Sequence, residues 1–149
     1  DPSRLEAESV TDSDLEKFLA RYGGTGEKVD VVVFSAPQLS LLEMQSLAEL
    51  LDGRQVHRDT SLLAVTSPVV AADARRLGLV ERIEASGALV LEGMCFYQSY
   101  AREMAEANGW QRLMTNSVKL VNIIGGYGYQ PTLSSMENCV ASAIAGEVL

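Results

Sequence analysis

The sequence predicts an α/β three-layer sandwich, with a mainly parallel sheet of about four to five strands flanked by helices. Three observations carry this. Val29 to Phe34 (VDVVVF) is a nearly continuous apolar run, the pattern of a strand buried on both faces. Further apolar runs alternate with segments of helical spacing, and the loops between them are short. The 149 residues, 47% hydrophobic and 21% charged, suffice for one ordinary globular domain with a sizeable core.

Residues 1–10 are polar and read as a loose arm. Thr11-Asp12-Ser13-Asp14 starts a helix through about Tyr22, with Leu15, Phe18 and Leu19 on one face, and Gly23-Gly24-Thr25-Gly26 stops it. The following Glu27-Lys28 gives a faint phosphate-loop look. The G-x-x-x-x-G-K-[ST] spacing is missing, and the run precedes a strand instead of following one. After the first strand, Ser40 and Glu43 form a capping box for a helix to about Asp52. Ser61 to Thr66 is the second strand. Ser67 caps the next helix, Pro68 takes its first position, and Gly78 ends it. A short helix from Leu79 leads through Gly87 to the third strand, Ala88 to Leu91. Helical spacing then runs from Tyr97 to Ala107, and Arg112 to Met114 is the fourth strand. A helix to Ile124 is broken by Gly125-Gly126-Tyr127-Gly128, and Tyr129 to Leu133 is a weak fifth strand. Ser134 and Glu137 read as a capping box for the last helix, to Gly146. Residues 1–28 are thus an arm and helix, and 29–149 the α/β domain.

Right-handed crossovers place every strand's carboxyl end on one edge of the sheet. Four turns fall there: Ser35–Ser40, Thr66–Pro68, Glu92–Cys95 and Thr115–Lys119. Ligands of open parallel sheets bind at this edge. In Met114-Thr115-Asn116-Ser117-Val118-Lys119, a strand runs through a polar turn into a helix. Lys119 on the first helical turn opposes the helix dipole, yet a cation beside open N–H groups suits a carboxylate or phosphate. A capped helix with a surface lysine is the plainer reading.

Composition excludes several classes. A net charge of -8 disfavours nucleic acid and anionic membrane surfaces as partners. No apolar run is long enough to span a bilayer. Asp1-Pro2-Ser3-Arg4 lacks a signal-peptide pattern, and without an initiating Met it reads as a processed or trimmed start. Two widely spaced cysteines are no disulfide framework, which points to a reducing, cytoplasmic setting.

No G-x-G-x-x-G follows a strand, so a dinucleotide site has no support. The one histidine, His57, sits in a turn at the opposite edge, which removes a Ser-His-Asp triad. Cys95 lies just past a strand end on the ligand edge. It is either an iron or iron–sulfur ligand or a small buried hydrophobe. Cys139 lies among apolar residues of the last helix and reads as filler. Gly125–Tyr129 is either a lid over the crevice or a helix stop with aromatic packing.

These residues also carry a resemblance. Val29-Asp30-Val31-Val32-Val33, Pro37, Leu39-Ser40-Leu41-Leu42-Glu43, Gly53-Arg54-Gln55-Val56-His57 and Thr66-Ser67 resemble, in order, the large subunit of the aconitase X family. The turn ending in Cys95, Thr115-Asn116-Ser117-Val118-Lys119 and Ser134-Ser135-Met136-Glu137-Asn138-Cys139-Val140 continue the likeness to the end of the chain.

The resemblance implies an aconitase-type, Rossmann-like domain from the C-terminal portion of a large catalytic subunit. It implies an iron-dependent hydro-lyase acting on a small hydroxylated acid of the cis-3-hydroxy-L-proline or mevalonate 5-phosphate type. A small swivelling domain or subunit would complete the site. Cys95 would be the ligand of iron or an iron–sulfur cluster, and Ser67, Thr115, Asn116, Ser117 and Lys119 would line the substrate pocket. A metal there would act as a Lewis acid on the departing hydroxyl, while a separate base takes the proton beside the carboxylate. The chain departs from the family pattern at Ser35-Ala36-Pro37-Gln38, where Gly-Cys-Pro-His is usual, and at Asn122, where histidine is frequent. Ala36 replaces a usual ligand, so activity in isolation is not expected. The alternative is a non-catalytic descendant that binds a small anion or a partner protein. An unrelated flavodoxin-like binding module is a third reading, resting on fold analogy alone.

Overall fold

The computed structural model describes residues 5–149, so Asp1-Pro2-Ser3-Arg4 lies outside the described residues. Helix α1 (Asp12–Arg21) opens on a capping box: the Thr11 hydroxyl accepts the Asp14 N–H, and the Asp14 carboxylate accepts the Thr11 N–H at 3.0 Å. Strand β1 (Val31–Leu39) leads into α2 (Leu41–Leu51), which carries the expected Ser40–Glu43 capping box. Next come β2 (Ser61–Thr66), α3 (Pro68–Arg76) capped by Ser67, and α4 (Leu79–Ala85). Between the last two, Gly78 sits at φ 70, the left-handed region that turns one helix into the next. Strand β3 (Leu89–Glu92), α5 (Ala101–Asn108), β4 (Arg112–Thr115), α6 (Val118–Ile124), β5 (Gln130–Leu133) and α7 (Met136–Ala145) complete the chain.

The five strands form one parallel sheet in the order β3-β2-β1-β4-β5. Side chains alternate along a strand, so each strand feeds two layers. Val32, Phe34, Leu62, Ala64 and Met114 join one core with Met44, Leu47, Ala74, Ile83 and Val140 from α2, α3, α4 and α7. Val31, Val33, Leu63 and Leu113 join the other, with Ala101, Ala105, Leu120 and Ile124 from α5 and α6. The three-layer α/β sandwich expected from the sequence is the observed fold.

Three local expectations are corrected. Strand β1 continues beyond Phe34 to Leu39, past a break in register against β2. The helix expected from Tyr97 is split into a 3-10 turn at Phe96–Gln98 and α5, because Tyr100 adopts φ 61, which an α-helix interior cannot hold. The capping box of Ser134 and Glu137 does not form. Ser135 is the N-cap, its hydroxyl accepting the Asn138 N–H at 3.2 Å. Ser134, just past β5, instead donates its N–H to the Thr115 carbonyl at 3.1 Å.

Candidate functional site

The strand order reverses at β1: the chain steps outward to β2 and β3, then returns to β4 and β5 on the other side. The carboxyl ends of β1 and β4 therefore flank a topological switch point, the usual place for a ligand in such sheets. At the end of β1, Ala36 stands at φ 60 and is joined to Pro37 by a cis peptide bond. Ser117 reaches across from β4, donating its hydroxyl to the Ala36 carbonyl at 2.5 Å and accepting the Leu120 N–H at 3.1 Å. Thr115 Oγ1 accepts the Ser117 N–H at 3.2 Å. The Thr115 and Ser117 hydroxyls thus tie this turn to the end of β1 and to the first turn of α6.

The third side of the edge is tied in through Gln38, whose amide donates to the Met94 carbonyl at 2.9 Å. That bond holds the segment carrying Cys95 against the end of β1. The Lys119 ammonium lies 5.7 Å from the centroid of the Tyr97 ring, a cation–π distance that links α6 to the same segment. Gly93 N–H donates to the Thr66 carbonyl at 2.9 Å, which sets the turn beside Ser67. Gly93 is at φ 66, and a Cβ there would touch Pro68 at 3.4 Å, so glycine answers both the turn and the close approach.

The residues picked from sequence divide by availability. Thr115 and Ser117 are buried, their hydroxyls engaged in the turn. Ser67 is half-buried and spends its oxygen on the Val70 N–H at 3.2 Å. Asn116 is half-buried and Lys119 exposed, and the capping of α6 draws on neither side chain. Cys95 is a half-buried free thiol. Of the set, Asn116, Lys119 and Cys95 are placed to meet something from outside.

Two contributors escaped the sequence reading. Ser35 is fully enclosed, and its hydroxyl is the buried side-chain polar atom without a hydrogen-bond partner among the described residues. Its signal was position alone, directly before the Ala36-Pro37 turn. Tyr97 joins the site through Lys119 and packs edge-on against Tyr127 at 6.5 Å. Gly125–Tyr129 serves packing: Tyr129 is buried and donates its hydroxyl to the Ala101 carbonyl at 2.9 Å. Burial pushes that phenol up to about 12.

Two residues set aside earlier sit away from this edge. His57 precedes β2, donates its backbone N–H to the Ala143 carbonyl at 2.9 Å, and packs so tightly on Gly146 that a Cβ there would lie 2.8 Å from its ring. Cys139 is completely buried, and burial pushes its thiol up to about 12, so it is an inert filler.

Among the described residues, no group of three or more His, Cys, Asp or Glu side chains could hold a metal. At the strand ends Cys95 offers one thiol, Ala36 a buried methyl, and Gln38 an amide already bonded to Met94. This donor set alone fits neither an iron ion nor a cluster, which takes several thiolates or nitrogen ligands.

A family described as "Aconitase X third domain" matches residues 29–145. The chain belongs to the aconitase X family. It is 30% identical to the phosphomevalonate dehydratase large subunit of Thermococcus kodakarensis over 94% of the chain and 35% of that protein. To the cis-3-hydroxy-L-proline dehydratase of Pseudomonas aeruginosa it is 30% identical over 80% of the chain and 20% of that protein. The crystal structure of holo aconitase X from Thermococcus kodakaraensis superposes with a TM-score of 0.80 at 27% identity, over 94% of this chain and 35% of that one. The aconitase X relatives are thus much longer, and the chain spans about a third of those large subunits.

Proposed function

We propose that this chain forms one wall of an aconitase X-type hydro-lyase site, inactive by itself, for dehydration of a small hydroxylated acid. The substrate would be of the phosphomevalonate or cis-3-hydroxyproline type, as in the named relatives. The observation that supports this best is the tying of three strand ends at one switch point, by Ser117 to Ala36 and Gln38 to Met94. In this reading Asn116 and Lys119 face the acid group. Lys119 supplies the charge, and Tyr97 holds the ammonium in place. Ser67, Thr115 and Ser117 shape the wall by fixing the backbone. Iron or a cluster, if the complete site holds one, would polarise the departing hydroxyl. Its other ligands would come from outside this chain, with Cys95 as the contribution here. A small subunit, implied for relatives named as large subunits, would close the pocket.

A second reading has its own support. Ala36 and Gln38 offer neither a thiolate nor a proton carrier, which favours a non-catalytic anion- or protein-binding descendant of the fold.

The deciding experiment assembles the chain with complementary large- and small-subunit portions, then measures iron content and water loss from both acids. The dehydratase reading expects turnover only in the assembly, less iron in Cys95→Ser, and a KM raised about tenfold or more in Lys119→Ala. An assembly without iron or turnover, indifferent to Cys95→Ser, rejects it. If phosphate or carboxylate binding nonetheless persists and weakens in Lys119→Ala, the second reading stands.

A further inference from the structure

Helix α1 has a capping box and an amphipathic pattern, yet none of its residues is buried. Its apolar side chains lie open: Leu15 is 53% and Leu19 52% exposed. With Phe18, Val10 and Val118 they line one apolar groove, whose polar contributor, Asp14, is engaged in the cap. A ten-residue helix is marginal in water without packing, so an amphipathic one of this length calls for a partner on its apolar face.

The extent of the family matches bears on what that partner is. The third-domain match begins at residue 29, so α1 is outside it. The match to the Thermococcus kodakarensis large subunit nevertheless extends over 141 of the chain's residues and so includes α1. That match takes up 35% of the relative, leaving most of the large subunit beyond it. The groove also borders the site, because Val118 follows directly on the cap residue Ser117.

We propose that the Val10–Leu15–Phe18–Leu19–Val118 groove is the docking surface for the remaining portion of an aconitase X large subunit, whether that portion lies on the same polypeptide or another. Apolar side chains of that portion would fill the groove and place its own residues beside the Thr115–Lys119 turn. The inference rests on family membership and the bare helix face, and is independent of iron and of turnover.

The test is photo-cross-linking in the protein's own cells, with p-benzoylphenylalanine replacing Leu15, Phe18 or Leu19 in turn, and Lys17 as the control. The substitutions fall on residues that are not buried, so they leave the fold intact. Mass spectrometry should place the cross-links from 15, 18 and 19 in a segment that matches the large subunit beyond the third domain. The yield from position 18 should fall about tenfold or more in Leu15→Glu/Leu19→Glu. Yields no higher than from position 17, or cross-links to a second copy of this chain, to a small subunit or to unrelated proteins, overturn the proposal. Since the readout is assembly, its failure is separable from failure of the dehydratase reading.

Discussion

Asp30 shows how one side chain sets the geometry of the sheet. It is a buried carboxylate, and its Oδ2 accepts the N–H groups of Gln111 and Arg112, each at 2.9 Å. It thereby pins the start of β4 beside β1. Burial alone would raise its carboxyl, but the Lys28 ammonium at 2.8 Å and those two N–H groups outweigh it and hold the carboxyl below its ordinary 3.8. A carboxyl depressed in the folded state contributes stability above its unfolded value and loses it as pH falls through the folded one. Asp30→Asn is therefore expected to cost about 1–2 kcal/mol at neutral pH. The gap to the unaltered protein should close as pH falls below 3.8. Urea denaturation at neutral and acid pH checks both statements, and a gap that persists in acid contradicts the assignment. None of this was legible beforehand, because Gln111 and Arg112 are remote from Asp30 in sequence and meet it only across the sheet.

At the scale of elements, caps and breaks were legible where they depend on neighbouring residues. Ser40 with Glu43, Ser67 with Pro68, and Gly78 all act where local chemistry puts them. The start of α7 was displaced by one residue for a tertiary reason: the Ser134 N–H is taken by the Thr115 carbonyl, which ties Ser134 to the end of β4. Ser135→Ala should then cost about 1 kcal/mol. Ser134→Ala should cost less than half of that, since its hydroxyl meets only the exposed Asn138 side chain. Thermal or chemical denaturation of the two variants checks the cap, and equal losses would return it to Ser134. The split before α5 has a similar origin. Phe96 is drawn fully into the core, 6.0 Å from Tyr129, and the chain then passes through the left-handed Tyr100 before a regular helix can begin.

For the whole molecule, the central strand carries the two cores and the candidate site together. Phe34 is fully buried on one face of β1, one residue before the enclosed Ser35 hydroxyl. Phe34→Ala is expected to cost about 3–5 kcal/mol, a large share of the roughly 5–15 kcal/mol that holds a domain of this kind folded. The urea midpoint should fall while the slope of the transition stays the same; a changed slope would mean that the layers no longer unfold together. The candidate site should loosen with it, since Ala36 and its bond to Ser117 hang on the same strand.

The sequence by itself determined the fold class, the placement of the strand-end turns on one edge, and membership of the aconitase X family. Apolar period, helix caps and motif order are local properties, written in neighbouring residues. Only the tertiary structure decided which polar groups remain available at that edge. Thr115, Ser117 and Ser67, expected as pocket residues, use their oxygens to hold backbone, with partners distant in sequence or in the adjoining helical turn. Ala36 is buried with its carbonyl already bonded, and Gln38 holds the segment of Cys95 in place. The apolar face of α1 was legible as a period, and only the structure showed it open. Periodicity reports that a helix has an apolar face, but what covers that face depends on the rest of the assembly.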